Sequence, residues 1–466
     1  MPSILGANTL SSGGYTVDNS CRFDNNAYMQ SGNTNSTNNP WTFSVWIKRA
    51  KVGAEQTLIM SYTDSNDFGL IRFGSDDTLL IGDYVNGSYV MKYETNRKFR
   101  DVSAWYHIVV SQSAVSGASP ATLLYVNGVQ ETSFGTSNAY SQNDTQNWQK
   151  DGENFNFMMG QGEHYQQAYV CEAVWIDNTV YAASDFGEFD EDSGIWKPKD
   201  PSGLNFGTNG FYFDFADSGN LGDNEAGNSR ADFSENNIAA TDQSTDTCTN
   251  NFATWNPLRK HLAFTATFSE GNTIVEHGQA DQNQTAFSTM AVSTGKWYAE
   301  FQCSTNASNF AFGIARINTT NSGGLDSYPG SLGGMHYAKN GEIQWYAGGD
   351  ANSDTSTTFA HTDIIGVLFD LDNTRLYFYK NDTLVNSGGI DYSVGTAVDG
   401  STSETTYYFA AGSSDGGTNP VLQANFGGSS GFAISSGNAD GNGFGNFEYA
   451  TKGGYALCTK NLAEYG

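Results

Sequence analysis

Apolar and polar side chains alternate in short stretches along most of the chain. In the segment Phe43–Lys48, every second residue from Phe43 to Ile47 is apolar. A period of two places alternate side chains on one face of an extended strand, so this segment is predicted to be a half-buried β-strand. Further strand-like runs lie at residues 106–110, 123–126, 169–176, 297–301, 310–315, 364–371, 376–379, 407–410 and 421–426.

Turn residues separate these runs. Asn-Gly pairs occur at Asn86-Gly87 and Asn127-Gly128, and Asp372–Arg375 separates two runs that are predicted to form a hairpin. Asn and Gly tolerate the positive φ angles of tight hairpin turns. The first 210 residues contain no pattern typical of a long amphipathic helix. Many short strands with such turns indicate an all-β chain of two tandem antiparallel β-sandwiches, the first a jelly roll.

A change of composition predicts the domain organisation. Residues 213–256 carry many Asp, Glu and Asn side chains and few apolar ones, which is typical of a connector. Phe233, Ile238 and Phe252 are the apolar residues that could attach it to a neighbouring surface. We therefore predict a first sandwich at residues 1–212, an acidic connector at 213–256, a second sandwich at 257–430 and a Gly-rich C-terminal segment at 431–466.

Charge and hydropathy exclude several classes of function. Acidic residues number 50 against 22 Lys and Arg, so the 466-residue chain has a net charge of −28. Phosphate backbones would repel such a chain, and we expect no nucleic-acid binding. Wholly apolar stretches are only about six residues long, against the roughly 18 that cross a bilayer, so no membrane insertion is expected. The start of the chain has neither a basic nor an apolar segment, and no secretory signal is expected.

Metal and disulfide chemistry is weakly indicated. The five cysteines are widely spread and include no CxxC pair, and the six histidines lack metal-ligand spacing. Buried free thiols in a reducing cytoplasm are the simplest interpretation. Residues 438–443 imitate the start of a calcium loop, but position twelve is Tyr449, and Glu448 lies one residue early. We predict no cofactor, with bound calcium as the open alternative.

Four segments of the first half carry a family resemblance. Their order and spacing resemble the laminin-G-like jelly roll of the concanavalin A-like lectins and glucanases, over most of residues 15–185. The resemblance implies a β-sandwich domain and, for many members, calcium binding at positions that cannot be assigned in this sequence. The segments are Trp41–Lys48, Trp105–Val110, Leu124–Val129 and the strand that ends at Asp177.

Segments of the second half resemble a SPRY domain, which is also a β-sandwich. One departure is Asp382, which stands where the family usually carries Gly and changes one hairpin turn. The matching segments are Gly295–Glu300, Asp363–Asp370, Leu376–Asn381 and Asn425–Gly427.

The combination of modules resembles structural proteins of tailed bacteriophages, especially marine ones. Between and after the two sandwiches, the segments Phe186–Pro198, Thr247–Phe252 and Gly454–Leu462 are similar to stretches that accompany such modules. The resemblance implies a virion component on the particle surface, assembled in the host cytoplasm, with other virion proteins as partners. By analogy with viral appendages it also implies a homo-oligomer, such as a trimer.

Two motifs imitate catalytic sites. Four of the five residues at 188–192 are acidic. Laminarinase-type glucanases carry E-x-D-x-x-E along one strand, which supplies their paired carboxyl groups. Here the sixth position is Ser193, and the segment follows the last predicted strand, so a solvated acidic turn is predicted. Residues 427–431 match G-x-S-x-G, but no helical pattern follows, as a serine hydrolase would require. We predict that the chain is not an enzyme.

Carbohydrate binding needs no motif, only exposed aromatic faces beside amides and carboxylates on loops of a rigid scaffold. The stretch 140–148 has this composition, and we name Tyr140, Asn143, Trp148 and Tyr165 as candidate ligand-binding residues. The alternative for Trp148 is that it covers the sandwich core. In the second half, partner-binding loops could lie around Tyr328, Tyr337 and Trp345, although Trp345 is expected to pack.

Three functional hypotheses follow. The first is a non-enzymatic phage tail fibre or similar appendage that binds a host-surface glycan or receptor. The second is a capsid decoration or head-fibre protein, since the sequence encodes no fibrous shaft of its own. The third is a polysaccharide depolymerase, which would need a pair of carboxyl groups at the spacing of a glycosidase.

Overall fold

Two compact units make up the described part of the chain. The first unit ends at Asn250 and the second begins at Asn251. No helix in the described residues has the length and apolar character needed to cross a bilayer. The computed structural model describes residues 14–24, 26–33, 39–117, 119–148, 150–160, 164–259, 266–278, 284–347 without 317–334, 350–385, 387–391, 406–413 and 418–466.

The first unit consists of short strands and two single-turn 3₁₀ helices, Ala183–Asp185 and Ala240–Asp242. The strands are β1 (Ser20–Phe23), β2 (Tyr28–Gly32), β3 (Trp41–Arg49), β4 (Gln56–Asp64), β5 (Asp67–Phe73), β6 (Thr78–Val85), β7 (Ser88–Lys98), β8 (Trp105–Gln112), β9 (Thr122–Val126), β10 (Val129–Gln130), β11 (Phe134–Asn138), β12 (Asn154–Phe157), β13 (Ala168–Asp177), β14 (Gly187–Phe189), β15 (Trp196–Pro198), β16 (Phe211–Phe213), β17 (Ser234–Asn236) and β18 (Gln243–Ser244).

These strands form two antiparallel sheets and one small hairpin. Sheet I has the order β10-β9-β8-β3-β13-β1-β18, with β16 also paired to β13. Sheet II has the order β11-β7-β6-β5-β4-β12-β2-β17, and β14 pairs with β15. Alternate side chains of both sheets, such as Phe43 and Val45 of sheet I and Ile71 and Ile81 of sheet II, share one buried cluster. The predicted antiparallel β-sandwich is thus confirmed.

Strand β3 differs from the prediction of a half-buried strand, because all nine of its residues are buried. Phe43 faces the core between the sheets, whereas Trp46 belongs to a second cluster on the outer face of sheet I. Chain that follows β13 covers this face, with Phe186 and Trp196 among its contributors. Alternate side chains of β3 therefore face two different apolar layers. Neither set of side chains faces the solvent.

Residues 213–250 of the predicted connector lie with the first unit. Ser234–Asn236 pairs with β2, and Gln243–Ser244 pairs with β1. Phe233 is buried in the core, and Ile238 packs against it. This polar segment is thus paired to the sandwich along its length, whereas Phe252 belongs to the second unit.

The second unit contains a second set of strands and one short helix, which are described here in chain order. The elements are β19 (Ala266–Ser269), β20 (Ile274–His277), β21 (Gln284–Val292), β22 (Lys296–Cys303), β23 (Phe310–Arg316), β24 (Met335–Ala338), β25 (Glu342–Ala347), β26 (Asp350–Thr355), β27 (Ile365–Asp370), β28 (Arg375–Lys380), β29 (Thr383–Leu384), β30 (Ile390–Asp391), β31 (Tyr407–Ser413), β32 (Val421–Asn425), β33 (Tyr455–Ala456) and α1 (Thr459–Tyr465).

Two sheets again enclose one core. Sheet III has the order β19-β20-β32-β22-β27-β28-β29, with β30 beside β28 and β33 parallel to β22. Sheet IV has the order β21-β31-β23-β24-β25-β26. Asp370 pairs with Arg375, which confirms the predicted hairpin. Trp255, Phe301 and Phe409 are among the side chains that fill the core.

The C-terminal residues of this unit cover the outer face of sheet III. Phe447 packs with Tyr298 of β22 at a ring distance of 5.2 Å. The buried Glu300 carboxylate accepts hydrogen bonds from the backbone N–H groups of Glu448 at 2.9 Å and Tyr449 at 2.8 Å. The Gly-rich segment is therefore attached to the sandwich through both apolar contacts and backbone hydrogen bonds.

Candidate functional site

The sequence-predicted aromatic residues of the 140–148 stretch are buried. Tyr140 is 4% exposed and Trp148 is 2% exposed. The Trp148 ring lies 4.9 Å from that of Trp41 and 5.4 Å from that of Trp175, inside the core. Neither side chain offers a face to a ligand, which corrects the prediction for both and favours the alternative in which Trp148 covers the core.

A buried carboxylate explains why this stretch folds inward. Asp83 of β6 accepts hydrogen bonds from the Tyr140 hydroxyl at 2.6 Å, the Asn147 backbone N–H at 3.0 Å and the Asn147 Nδ2 at 2.9 Å. Burial raises the pKa of Asp83 to about 7, although these hydrogen bonds oppose the rise. The tyrosine hydroxyl and the asparagine amide, which resemble sugar-binding groups in the sequence, thus satisfy an internal acid.

The other two predicted residues lie elsewhere. Asn143 is an exposed turn residue with φ 65°, and its backbone N–H donates to the Val115 carbonyl. Tyr165 is half-buried, with its ring 5.9 Å from that of Tyr28. Because Tyr140 and Trp148 are in the core, the four residues do not form one surface. In the second unit, Tyr337 is buried, and Tyr328 lies outside the described residues.

A cavity of about 320 Å³ lies on the outer face of sheet II. Outward-facing side chains of β5 alternate at Phe68, Leu70 and Arg72, while Ile71 and Phe73 face the core. The β4 register shifts between Thr57 and Ile59. The lining residues are Thr57, Met60, Phe68, Leu70, Arg72, Tyr89 and His164.

Aromatic rings lie along one side of this cavity. Phe68 stacks on Tyr84 with ring centroids 5.0 Å apart, and Tyr84 meets the edge of Tyr89 at 5.0 Å. Gly82 lies beneath Tyr89, where a Cβ atom would come within 2.7 Å of the ring carbon Cε1. The absence of a side chain at Gly82 therefore lets the Tyr89 ring lie against the sheet.

Charged groups form the other side. Arg72 Nη1 donates to Glu55 Oε2 at 2.9 Å, and His164 Nε2 lies 3.3 Å from the same oxygen. Burial raises the pKa of Tyr89, and the positive charges of Arg72 and Lys92 oppose that rise. Within the described part of the chain, the lining itself contains an arginine and a histidine but no carboxylate.

Sequence reasoning missed this cavity. The available signal was the second set of alternate residues on β5, Phe68, Leu70 and Arg72, in a strand whose other face is also apolar. The predicted ligand-binding residue Tyr165 is not in the lining, but His164, which precedes it in the chain, is. Tyr89 carries no local signal, because its place beside Arg72 depends on strand pairing.

A serine–histidine pair in the first unit is unsuited to nucleophilic catalysis. The Ser44 Oγ lies 2.9 Å from His107 Nε2, and Trp196 Nε1 donates to His107 Nδ1 at 2.9 Å. An indole N–H can only donate, so Nδ1 accepts and the neutral ring carries its proton on Nε2. That nitrogen donates to Ser44 and cannot take the serine proton.

The acidic segment 188–192 forms part of a hairpin. Glu188 lies on β14, and Lys197 Nζ contacts its carboxylate at 3.4 Å and that of Asp190 at 3.2 Å. Asp190 also accepts hydrogen bonds from the backbone N–H and hydroxyl of Ser193. The predicted acidic turn belongs to a two-stranded hairpin in which Lys197 pairs with Glu188 and Asp190, while Glu191 and Asp192 are exposed.

The remaining two motifs hold the C-terminal segment in place. Residues 431–447 contain turns and isolated bridges, so no helix follows the G-x-S-x-G match. In the calcium-like loop, all the hydrogen bonds to the Asp440 carboxylate come from N–H groups, which oppose a cation. No cluster of His, Cys, Asp and Glu suited to a metal occurs within the described ranges. The donors to Asp440 are the backbone N–H groups of Asn442, Phe444 and Ala456 and the side-chain amide of Asn461.

Comparisons with solved structures give matches to parts of the chain at low identity. The chain is similar to the SPRY domain of human HERC1 at 13% identity and a TM-score of 0.29, covering 36% of this chain and 96% of that one. It is similar to the PSpry domain of TRIM65 at 13% identity and a TM-score of 0.27, with 37% and 89% covered. A heptameric SAP-like pentraxin from Limulus polyphemus matches at 15% identity and a TM-score of 0.28, with 35% and 78% covered.

Family comparison assigns the first unit more closely. A search of curated proteins found no match to the chain. Residues 23–172 match the laminin G family model described as the concanavalin A-like lectin/glucanases superfamily. This range includes all seven described lining residues of the cavity, from Thr57 to His164. Residues 23–172 are therefore similar to the concanavalin A-like lectin and glucanase domains of laminin G type, as the resemblance of the strand segments implied.

Proposed function

We propose that the chain is a non-enzymatic carbohydrate-binding protein and that the cavity on sheet II holds the sugar. The lining of the cavity carries this proposal. The half-buried Tyr89 offers aromatic surface beside the buried ring of Phe68, while Thr57, Arg72 and His164 supply polar groups. Its volume of about 320 Å³ falls in the range of small-molecule sites. The matched family is named for lectins and glucanases, which supports carbohydrate as the ligand class.

The charged groups support binding without hydrolysis. A glycosidase needs two carboxyl groups on either side of the scissile bond, about 5 to 10 Å apart. The lining residues that the structure describes include no Asp or Glu. Glu55 lies behind it and is already engaged by Arg72 and His164. One carboxylate held in an ion pair is poorly suited to protonate a leaving group.

We further infer that the chain is displayed on the surface of a tailed bacteriophage and attaches it to a host glycan or receptor. This part of the proposal rests on the resemblance of the module order to phage structural proteins. It includes homo-oligomerisation and contacts with other virion proteins. A capsid decoration or head-fibre role is the alternative location.

Binding is tested with the full chain against host cells and isolated host-surface polysaccharide. We expect saturable binding that Tyr89→Ala weakens at least tenfold, because the ring is part of the lining. Tyr165→Ala is the matched control, since it removes a tyrosine next to His164 but outside the lining. Equal losses in both variants, or none in either, would contradict the cavity as the site.

Two further measurements separate the alternatives. Reducing ends that appear over time during incubation with the polysaccharide would support a depolymerase and overturn the non-enzymatic proposal. An electron-microscopy map of the particle would locate the density of the chain on the tail or on the capsid. Failure to bind host cells, together with stoichiometric recovery on tailless heads, would favour decoration.

A further inference from the structure

We propose that the cavity on sheet II selects saccharides that carry an anionic group, a carboxylate or a sulfate, and that Arg72 binds this group. The inference rests on the proposed carbohydrate binding and names the ligand class of the same site. It follows from the charge of the lining, the free donor of Arg72 and the geometry of β5.

The charge of the lining is opposite to that of the chain. Acidic residues outnumber Lys and Arg by 50 to 22 in the sequence. Among the described residues, the lining nevertheless contains Arg72 and His164 and no acidic residue. Lys92 lies beside the lining, with its Nζ 5.6 Å from the centre of the Tyr89 ring and 3.0 Å from Glu94 Oε2. An arginine with an unused donor in the lining of an acidic protein favours an anionic ligand at this place.

The guanidinium group of Arg72 is oriented but not fully used. Its Nη1 donates to Glu55 at 2.9 Å, which fixes the plane of the group. Its Nε is buried without a hydrogen-bond partner, and Nη2 makes no hydrogen bond to the described residues. Arginine binds carboxylate and sulfate-like oxygens with charge-assisted hydrogen bonds that are about twice as strong as neutral ones. Glu55 is therefore a positioning residue, and Nη2 is the donor left for the ligand.

The geometry of β5 brings the ligand to this donor. Outward side chains on a strand recur every second residue, about 7 Å apart. Phe68 and Leu70 form the apolar floor, and Arg72 is the next outward residue along the same strand. A sugar ring that lies over this floor can thus direct a charged substituent toward the guanidinium group.

The test compares polymers that differ only in charge. Polygalacturonate and its fully methyl-esterified form share one backbone, and dextran sulfate and dextran form a second pair. Binding to the full chain is measured by calorimetry at low salt and at about 0.15 M salt, where exposed charges are screened beyond about 8 Å. We expect at least one charged polymer to bind about tenfold more tightly than its neutral partner. The pair that shows the difference identifies carboxylate or sulfate as the group that is bound.

Variants assign the effect to Arg72. Arg72→Gln should abolish the preference for the charged polymer, and Arg72→Lys should retain only part of it, because lysine lacks the planar fork. Arg97→Gln is the matched control, because Arg97 lies on β7 of the same sheet, pairs with Glu131 at 2.7 Å and is outside the lining. Melting temperatures of all variants verify that they are folded.

The outcomes distinguish this inference from the proposed function. Equal binding of charged and neutral polymers, unaffected by Arg72→Gln, would overturn anion selection and leave carbohydrate binding intact. Loss of the preference in Arg97→Gln as well as in Arg72→Gln would also overturn the role of Arg72. Failure of the wild-type chain to bind these polymers or host polysaccharide would overturn both proposals.

Discussion

Lys48 and Asp246, 198 residues apart, form an ion pair in the interior of the first unit. The Lys48 Nζ lies 2.7 Å from Asp246 Oδ2, and each side chain is 1% exposed. Trp105 Nε1 donates to the other carboxylate oxygen at 3.2 Å. Burial lowers the pKa of Lys48, and the Asp246 charge opposes that change. The pair attaches the last residues of the unit to β3.

Removing one member of this pair should destabilise the first unit. Asp246→Asn leaves the Lys48 charge buried without compensation, and we expect a loss of about 3–5 kcal/mol in the free energy of unfolding. The double variant Lys48→Met with Asp246→Leu should lose less, because no charge remains buried. Lys98→Met is the control, since Lys98 pairs with Asp76 at the surface and such pairs contribute about 0–1 kcal/mol. Urea unfolding monitored by tryptophan fluorescence measures all three, and equal losses in Asp246→Asn and Lys98→Met would contradict the argument.

Stability of the first unit should fall as the pH rises toward 8. Glu172 accepts hydrogen bonds from the Tyr212 hydroxyl at 3.0 Å and the Tyr15 hydroxyl at 3.2 Å, and burial raises its pKa from 4.5 to about 8. The folded unit therefore retains a proton that the unfolded chain releases between these two values. The contribution of the protonated Glu172 to the free energy of unfolding is complete below pH 4.5 and is lost by about pH 8.

The measurement is a series of urea midpoints from pH 6.5 to 8.5. Each buried carboxyl group with a raised pKa can lower the free energy of unfolding by up to about 1.4 kcal/mol per pH unit. Asp83, whose pKa burial raises to about 7, adds to the loss in the lower part of this range. Glu172→Gln should flatten the profile, and a variant profile parallel to that of the wild type would show that Glu172 does not hold the proton.

Gly82 should control ligand binding through the position of Tyr89. An alanine Cβ at residue 82 would lie 2.7 Å from Tyr89 Cε1, so Gly82→Ala should displace the ring and reduce carbohydrate affinity about tenfold or more. Gly32→Ala is the matched control on β2 of the same sheet, because nothing lies within 4 Å of the added atom. Calorimetric titration of both variants tests this, and unchanged affinity in Gly82→Ala would exclude Tyr89 as a contact.

His107 should remain neutral well into the acidic range. Burial lowers its pKa from 6.5 to about 3, and its ring stacks on Trp46 with centroids 4.4 Å apart. Because the unfolded chain binds a proton that the folded one does not, this histidine reduces stability as the pH falls below 6.5. Nitrogen NMR at pH 5 should report a neutral ring protonated on Nε2. A doubly protonated ring at that pH would contradict both the burial and the tautomer.

The alternation of apolar and polar residues predicted the strands, but it did not predict which residues pack on their outer faces. The period of two in Phe43–Lys48 and the turn at Asp372–Arg375 depend on neighbouring residues only, and both strand and hairpin are present. The burial of both faces of β3 depends on Phe186 and Trp196, which are more than a hundred residues away in the chain. Alternation alone cannot distinguish an outer apolar layer from solvent.

The candidate site was harder to predict for the same reason. Tyr140 carries the same side chain whether it meets a sugar or Asp83, and the two residues are 57 positions apart. Phe68 and Arg72 share one face of β5, which the sequence does indicate, but Tyr89 and His164 reach the cavity through strand pairing. A site assembled from several strands of one sheet is visible only after their register is known.

Pairing between the two ends of the second unit has a consequence for its synthesis. Ala253 donates its backbone N–H to the Leu457 carbonyl, and the Asn251 backbone N–H donates to the Thr459 hydroxyl across 208 positions. The first unit has all its strands once Asn250 leaves the ribosome, whereas residues 251–253 must wait for residues 457–459 before they find their partners. At about 5–20 residues per second this delay lasts some 10–40 s. During translation we therefore expect the first unit to fold first, and the second sandwich to close only when residues 457–459 emerge.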